Sequence, residues 1–167
     1  MRVRSEESAD RAAIHSLNTA AFGGPAEADL VDSLRGKASP LVSLVADVDG
    51  AIVGHILFSP VVLLGCEHLR IMGLGPMAVA PEHQRHGVGS ALVHEGLREC
   101  RQIGCQVVVV LGHPEYYPRF GFVPAVRYFI RSEYDVPDDV FMLTELEAEA
   151  LRDVSGTVRY HEAFSSV

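Results

Sequence analysis

Hydrophobic side chains change their spacing along the chain, and each change predicts a new element of secondary structure. A short strand is expected around Val3, and Ser8 can cap the helix that follows it. Pro25 suits the first turn of a second helix, which Gly36 is expected to end. The positions that recur at helical spacing in the first of these helices, and are expected to form its buried face, are Ile14, Leu17, Ala21 and Phe22.

An antiparallel hairpin is predicted after the two helices. Residues 41–47 and 51–58 have the composition of strands, and Asp49–Gly50 between them predicts a tight turn, because glycine adopts positive φ at little cost. Pro60 is expected to interrupt the second strand, since proline has no N–H group to donate to a neighbouring strand. Residues 61–64 are therefore predicted to begin a new strand.

The clearest transition in the pattern lies between a strand at residues 70–80 and an amphipathic helix that begins near Val88. The helix is expected to run for about four turns, until Gly104, because its apolar residues recur at helical spacing. The nearly all-apolar run Cys105–Leu111 is typical of a strand that is buried on both faces. A strand, a helix and a strand in this order predict a right-handed βαβ unit with two parallel strands.

The whole pattern predicts a mixed α/β fold, in which one central sheet contains both the hairpins and the parallel βαβ unit and is flanked by helices. Further strands are expected at residues 123–130, 141–146 and 158–164, with a short helix at 147–153. The chain has 167 residues, of which 48% are hydrophobic, which is ample for a core. We therefore predict a single domain over residues 1–167.

The charge balance narrows the range of functions. The chain has 14 lysines and arginines against 22 aspartates and glutamates, a formal net charge of −8, which argues against a general nucleic-acid binder. The acidic residues are concentrated in residues 133–167, where nine acids face two arginines, whereas residues 83–132 have six arginines and three acids. The central segment is therefore compatible with an anionic ligand, and the acidic tail with a cationic one.

The pattern contains neither a signal peptide nor a membrane span. No apolar stretch follows the N-terminal basic residues, and the longest apolar runs, such as Val107–Leu111, have the length of a strand. Cys66, Cys100 and Cys105 form no C-x-x-C pair, so we expect free thiols in a reducing cytoplasm and no zinc knuckle. The eight histidines show no H-E-x-x-H pair or ligand cluster, and we predict no bound metal.

The segment Gln84–Gly89 joins the predicted strand to the predicted helix and has the features of an anion-binding loop. Glycines let a ligand approach the backbone, and the first N–H groups of a helix have no partner within it. An ordinary tight turn is the alternative interpretation. A P-loop is excluded because the single lysine is Lys37, and the G-x-G-x-x-A match at Gly73–Ala78 leads into a strand rather than a helix.

Two motifs resemble those of the GCN5-related N-acetyltransferase (GNAT) family. The stretch Gln84–Gly89 resembles the Q/R-x-x-G-x-G/A signature of that family, and Tyr117 stands four residues before Gly121–Phe122, as a tyrosine often does there. The order of predicted elements agrees over nearly the whole chain. Within the family, the amino-acid sequence of Gly112–Phe122 and the predicted closing strand from Tyr160 resemble those of the uncharacterised YhbS-like branch.

The resemblance implies a GNAT fold, acetyl-CoA as co-substrate, and acetyl transfer to a primary amine by direct attack. In that family, main-chain groups of the strand before the signature pair with the pantetheine arm, and backbone N–H groups of the signature loop bind the pyrophosphate. One amide of the strand also polarises the thioester carbonyl, which is an oxyanion-hole role. The residues that these roles imply for this chain are Met77, Ala78 and Val79 in the strand, and Gln84, Arg85, His86, Gly87, Val88, Gly89 and Ser90 in the loop.

The resemblance also assigns the general acid to Tyr117, which would protonate the departing CoA thiolate. A thiol has a pKa of about 8.5 and a tyrosine of about 10, so this proton transfer needs no large shift. Tyr116 is adjacent, and a shift of one residue in the alignment would exchange the two; a role in packing alone is the other alternative. No acidic residue lies at the end of the strand before the signature, so the general base is left open. Its candidates are His55, Glu67, His68 and Glu115.

Two other functions stay open at this point. A non-catalytic acyl-CoA-binding module would explain why no base stands out, and a βαβ nucleotide binder outside the family would use the same loop. The expected acceptor is a small-molecule or peptide amine, which the sequence does not identify further. In this family the N-terminal helices and the tail build the acceptor pocket, here residues 22–35 and 127–141. A homodimer is common in the family.

Overall fold

The computed structural model describes all 167 residues, which form one large sheet with helices on both of its faces. The helices are α1 (Arg11–Phe22), α2 (Ala26–Lys37) and α3 (Val88–Gln102). The strands are β1 (Arg2–Ser5), β2 (Val42–Val48), β3 (Ala51–Leu63), β4 (Ile71–Val79), β5 (Val107–Leu111), β6 (Val123–Pro124), β7 (Ile130–Ser132), β8 (Phe141–Glu145) and β9 (Gly156–Arg159). No helix combines the length and the hydropathy that crossing a membrane requires.

The strand order along the sheet is β1-β2-β3-β4-β5-β8-β6. β4 and β5 are its parallel pair and are connected through α3, whereas the other neighbours along this path are antiparallel. β9 pairs with the end of β3 and, in parallel, with β7. The predicted mixed α/β fold with a parallel βαβ unit is therefore confirmed.

The alternation of side chains along β3 shows which residues meet which helix. Ile56 and Phe58 lie in the apolar cluster that α3 covers, whereas Leu57 lies in the cluster formed with α1 and α2. Gly96 of α3 rests directly on the Phe58 ring, since a Cβ atom at Gly96 would lie 2.2 Å from Phe58 Cε1. This contact determines how closely α3 approaches the centre of the sheet.

The buried face of α1 differs from the prediction. Ile14 is buried as expected, but Ala21 is exposed and Phe22 is 45% exposed, whereas Asn18 is fully buried. Asn18 is tolerated inside because its amide donates to the Ile14 carbonyl at 3.1 Å and lies 3.2 Å from Nδ1 of His55 on β3. Polar pairing between helix and sheet therefore takes the place of part of the apolar contact that the spacing predicted.

The predicted end of the second helix lies within one residue of the observed end, but the predicted break in the second hairpin strand is wrong. α2 ends at Lys37, directly after Gly36, whereas β3 runs without a break past Pro60. Pro60 fits inside β3 because β2 begins opposite Phe58 and β9 pairs only with Val62 and Leu63, so Pro60 itself has only β4 beside it. A proline without an N–H group is tolerated at such an edge position.

The C-terminal part of the chain contains shorter strands than predicted. Residues 123–130 divide into β6, a 3₁₀ turn and β7, because Phe129 adopts a positive φ of 60° that no continuous strand accommodates. The last predicted strand ends at Arg159, and residues 147–153 form successive turns instead of a helix. Tyr160 and Phe164 then fold back together, with ring centroids 5.2 Å apart.

Candidate active site

The two parallel strands separate in the middle of the sheet. β4 pairs with β5 only over Ile71–Leu74. Gly75–Pro76 then form a bulge opposite Leu57, beyond which β4 continues to Val79 beside β3 alone, while β5 ends at Leu111. A cavity of about 970 Å³ is lined by residues on both sides of the gap. The gap lies between strands that would otherwise hydrogen-bond to each other, so backbone groups face the cavity.

Main-chain groups of two predicted residues point into the gap. Hydrogen-bonded positions alternate along an antiparallel pair, and the Ala80 N–H donates to the Val53 carbonyl on β3 at 2.8 Å. Ala78 therefore takes the next position bonded to β3, whereas Met77 and Val79 direct their N–H and carbonyl groups away from β3. The carbonyl of Val79 accordingly accepts a hydrogen bond from the Gln84 side chain at 3.1 Å.

The loop between β4 and α3 presents a series of free N–H groups. The first bond within α3 runs from the Ala91 N–H to the Gly87 carbonyl at 3.0 Å, and no backbone N–H group from Arg85 to Ser90 donates to a protein acceptor. Arg85 and Gly87 have positive φ values of 63° and 84°, a conformation that brings successive N–H groups to one side. Such a loop at a helix N-terminus is suited to an anionic group.

The cavity collects most of the predicted site residues but not all of them. Ala78 and Val88 are buried in the core, at 3% and 4% exposure, and His86 is exposed outside the cavity. Val88 packs against β3, since a Cβ atom at Gly54 would lie 2.9 Å from its Cγ1. The predicted residues that line the cavity are Met77, Val79, Gln84, Arg85, Gly87, Gly89, Ser90 and Tyr117.

Tyr117 lies against the end of β5 with its side chain almost entirely buried. A Cβ atom at Gly112 would lie 2.3 Å from Tyr117 Cε2, so the ring occupies the space that a larger residue would take. Desolvation raises the pKa of Tyr117 to about 12, with a smaller contribution from Tyr116. Its hydroxyl group makes no hydrogen bond within the protein, so a protonated donor is held beside the gap.

Tyr116 lines the same cavity at a different place. Its hydroxyl oxygen lies beside the signature loop, since a Cβ atom at Gly89 would be 2.7 Å from it. The guanidinium group of Arg119 lies 4.6 Å from the centre of the Tyr116 ring, within the range of a cation–π contact. The two neighbouring tyrosines are therefore not equivalent, because Tyr116 faces the loop and Tyr117 faces the end of β5.

None of the four candidates for the general base lines the cavity. His55 is completely buried elsewhere, and Glu67, His68 and Glu115 are exposed outside it. The single acidic side chain among the lining residues is that of Glu27, in the first turn of α2. Nothing in the local pattern distinguishes Glu27, because an acidic residue in the first turn of a helix is ordinary.

His55 belongs to a polar chain in the core instead. Its Nε2 lies 2.9 Å from the Ser43 hydroxyl, which donates to the Glu6 carboxylate, so Nε2 carries the proton and Ser43 accepts it. Its Nδ1 then accepts from the Asn18 amide. Desolvation lowers the pKa of His55 to about 4. A neutral, enclosed histidine of this kind has a structural role.

One group of side chains has the spacing of a metal site, and it lies on the surface of α1 and α2. Ligand atoms of His15, Asp29 and Asp32 lie within 4.8 Å of one another. None of the three lines the cavity, and the Arg35 guanidinium pairs with the Asp32 carboxylate, which opposes a cation there. The absence of a catalytic metal stays a prediction.

Comparison with known proteins assigns the chain. The model of the acetyltransferase (GNAT) family matches residues 11–122. The chain belongs to the GNAT family. It is 37% identical over 166 residues to the uncharacterised N-acetyltransferase YhbS of Escherichia coli K12, with 99% of both chains covered. It is 39% identical over 160 residues to the N-acetyltransferase YjhQ of the same organism, with 92% of this chain and 88% of YjhQ covered. The predicted GNAT membership, with its YhbS-like branch, is confirmed, and this GNAT chain is an acetyltransferase.

Solved structures of GNAT relatives agree with the fold over nearly the whole chain. YhbS from Escherichia coli in complex with CoA has a TM-score of 0.92 and 36% identity, and 98% of this chain and 91% of that one are covered. A GNAT acetyltransferase from Brucella melitensis in complex with acetyl-CoA has a TM-score of 0.79 and 36% identity, with 98% and 97% covered. The predicted GNAT fold is thereby confirmed.

Proposed function

We propose that this GNAT enzyme transfers the acetyl group of acetyl-CoA to a primary amine, which attacks the thioester directly. The observation that carries the proposal is the cavity at the gap between β4 and β5, where free loop N–H groups and Tyr117 line the same space. Two solved relatives hold CoA or acetyl-CoA, which supports acetyl-CoA as the co-substrate. The predicted co-substrate fits the groups that this chain presents.

The cofactor would lie along the loop and β4. The N–H groups of the loop from Arg85 to Ser90 would bind the pyrophosphate, with the Arg85 guanidinium as a further cation nearby. The N–H and carbonyl groups of Met77 and the N–H group of Val79 would pair with the amides of the pantetheine arm, since the Val79 carbonyl already accepts from Gln84. An N–H group of this strand would polarise the thioester carbonyl, because a donor aimed at the developing oxyanion stabilises the tetrahedral intermediate.

Tyr117 would serve as the general acid. The neutral amine attacks the carbonyl carbon, the C–S bond breaks, the departing thiolate takes the proton of the Tyr117 hydroxyl, and the nitrogen releases its extra proton to solvent. The raised pKa of about 12 keeps the hydroxyl protonated at neutral pH. The tyrosinate formed is a stronger base than the CoA thiolate, so the proton transfer is completed when solvent protons restore the phenol.

The experiment that tests this function is a thiol-release assay with acetyl-CoA and a broad panel of primary amines. On an accepted amine, we expect Tyr117→Phe to lower kcat by about 10²-fold, since a positioned acid contributes on that order. Tyr128→Phe is the matched control, because the Tyr128 hydroxyl bonds to Glu145 at 3.3 Å outside the cavity. Equal kcat for Tyr117→Phe and the wild type would contradict the acid role. CoA binding without turnover of any amine would favour a non-catalytic acyl-CoA-binding module.

We also propose that residues 1–167 act as one domain in the cytoplasm. The three apolar clusters of the core share strands of the same sheet, which supports a single folding unit. Cys66, Cys100 and Cys105 are free thiols, and the last two are buried, which supports a reducing compartment.

A further inference from the structure

The cavity passes through the sheet, and its two ends differ in chemistry. The end on the α3 side is formed by the signature loop with Tyr116 and Arg119. The other end lies on the side of α1 and α2 and has walls of apolar and aromatic side chains, namely Phe22, Leu30, Tyr134, Tyr160 and Phe164. The cationic lining residues Arg85 and Arg119 both belong to the α3 side, so the α1–α2 end contains no positive side chain.

The aromatic walls of this end form a connected group. The ring of Tyr160 lies 5.7 Å from that of Tyr134 and 5.2 Å from that of Phe164. Tyr160 also packs on β4 at Gly73, two residues before the bulge where the strands part. The wall therefore reaches the level of the gap, where the thioester of a bound acetyl-CoA would meet its acceptor.

Glu27 is the one acidic side chain among the residues that line the α1–α2 end. It is half-buried, and its carboxylate forms no ion pair and no hydrogen bond within the protein. The nearby acids differ in this respect, since Asp29 contacts His15 and Asp32 pairs with Arg35. An unpaired carboxylate in a mostly apolar cavity attracts one cation, because the low dielectric of the site strengthens their interaction.

We propose that this end of the cavity binds a primary monoamine with an aromatic or aliphatic body and no carboxylate, and that Glu27 holds its ammonium group. The inference rests on the proposed acetyl transfer and specifies its acceptor. A carboxylate on the acceptor would find no cationic side chain at this end and would lose its hydration without compensation. The apolar walls favour a carbon body through burial of its surface.

Glu27 also supplies the base that the sequence did not reveal. The bound ammonium transfers one proton to the carboxylate, directly or through a water molecule, and the neutral nitrogen attacks the thioester carbon. The C–S bond breaks, and the thiolate is protonated by Tyr117. The remaining extra proton on nitrogen leaves to solvent, solvent restores the Tyr117 phenol, and Glu27 releases the proton it took. The net products are therefore the amide, CoA and one proton.

A matched substrate pair tests the acceptor class. Phenethylamine and phenylalanine share the same aromatic body and differ by one carboxylate. We expect kcat/KM for phenethylamine to exceed that for phenylalanine by at least about 10-fold, because the carboxylate would be buried unpaired. Spermidine serves as the polycationic comparison, and a preference for spermidine or phenylalanine over phenethylamine would overturn the inference.

A matched variant pair tests the role of Glu27. We expect Glu27→Gln to lower kcat/KM for phenethylamine by about 100-fold at pH 7, while KM for acetyl-CoA is unchanged. The loss should shrink as pH rises toward about 10, because a growing fraction of the amine is then already neutral in solution and needs no base. Asp29→Asn, in the same helical turn but outside the cavity, should retain wild-type kinetics.

The outcomes separate this inference from the proposed function. Turnover of other amines with no effect of Glu27→Gln would overturn the acceptor subsite and leave acetyl transfer intact. No turnover of any amine, with CoA still raising the melting temperature, would overturn both. A loss in Glu27→Gln that is the same at every pH would also overturn the base role, because a structural defect does not depend on the protonation of the amine.

Discussion

At the residue scale, the enclosed histidine on β3 shows how a single side chain makes the fold sensitive to acid. His55 is held neutral, because Nε2 donates to Ser43 and Nδ1 accepts from Asn18. A second proton would place an N–H group against the N–H group of the Asn18 amide. The Glu6 carboxylate favours the charged form and the Arg35 guanidinium opposes it, but desolvation is the largest effect and lowers the pKa to about 4.

We therefore predict that the free energy of unfolding falls between pH 6.5 and pH 4. The pKa of His55 is about 4 in the folded protein and near 6.5 when unfolded, so the unfolded chain binds more protons in this window. The difference amounts to about 3 kcal/mol, present above pH 6.5 and lost as the pH falls. Urea unfolding at intervals from pH 7.5 to 4 measures it. His55→Gln should show a flatter dependence, and a His55 ring signal that titrates near 6.5 by NMR would contradict the prediction.

The same scale explains why one part of the site could be predicted and another could not. Gln84–Gly89 and Tyr117 stand in contiguous motifs, so their residue types and spacing survive in the sequence. Glu27 reaches the cavity only because α2 packs beside the C-terminal residues. Phe164 makes this connection, since it packs both against the apolar cluster that contains α2 and against the cluster that contains Tyr160. A contact that depends on tertiary packing leaves no mark in the local pattern.

At the scale of elements, α3 shows how a single glycine sets the distance between a helix and a sheet. Gly96→Ala would place a Cβ atom 2.2 Å from Cε1 and 2.5 Å from Cζ of Phe58, whose ring is completely buried. We expect this variant to lower the free energy of unfolding by about 1–3 kcal/mol, since overpacking displaces a fixed ring. Gly36→Ala in α2 meets nothing within 4 Å and should instead stabilise by about 0.5–1 kcal/mol. Paired urea titrations measure both, and equal effects would contradict the close contact.

Elements with one strong local pattern were predicted well, and those shaped by neighbours were not. The βαβ unit has a continuous apolar strand and a clear helical spacing, and β4, α3 and β5 lie close to the expected positions. The strand break predicted at Pro60 was wrong because a proline interrupts a strand only where a neighbouring strand needs an N–H group at that position. Whether one is needed at Pro60 depends on where β2 begins. The burial of Asn18 likewise depends on His55, which lies 37 residues away in the sequence.

At the scale of the whole molecule, the structure shows where the unevenly distributed acidic residues lie. The net charge of the chain is −8, and most of it lies in the C-terminal segment. Some of those acids line a second cavity of about 710 Å³, which Tyr134 shares with the first one. The acids of this second cavity are Glu133, Asp135 and Asp138, and they outnumber its one arginine, Arg131. A negative potential therefore adjoins the end of the active cavity where an ammonium group is expected to bind.

We predict that this acidic cavity raises the rate at which a cationic acceptor associates. Replacing both Asp135 and Asp138 with asparagine should lower kcat/KM for phenethylamine about 2- to 5-fold at low salt, because the attracting potential is reduced. The difference should disappear at about 0.5 M salt, where screening shortens the range of the field to a few ångströms. The matched control replaces Glu149 with glutamine and Asp153 with asparagine, since both are exposed acids that line neither cavity. Because both double variants change the net charge equally, equal losses would show that total charge, and not the position of the acids, sets the rate.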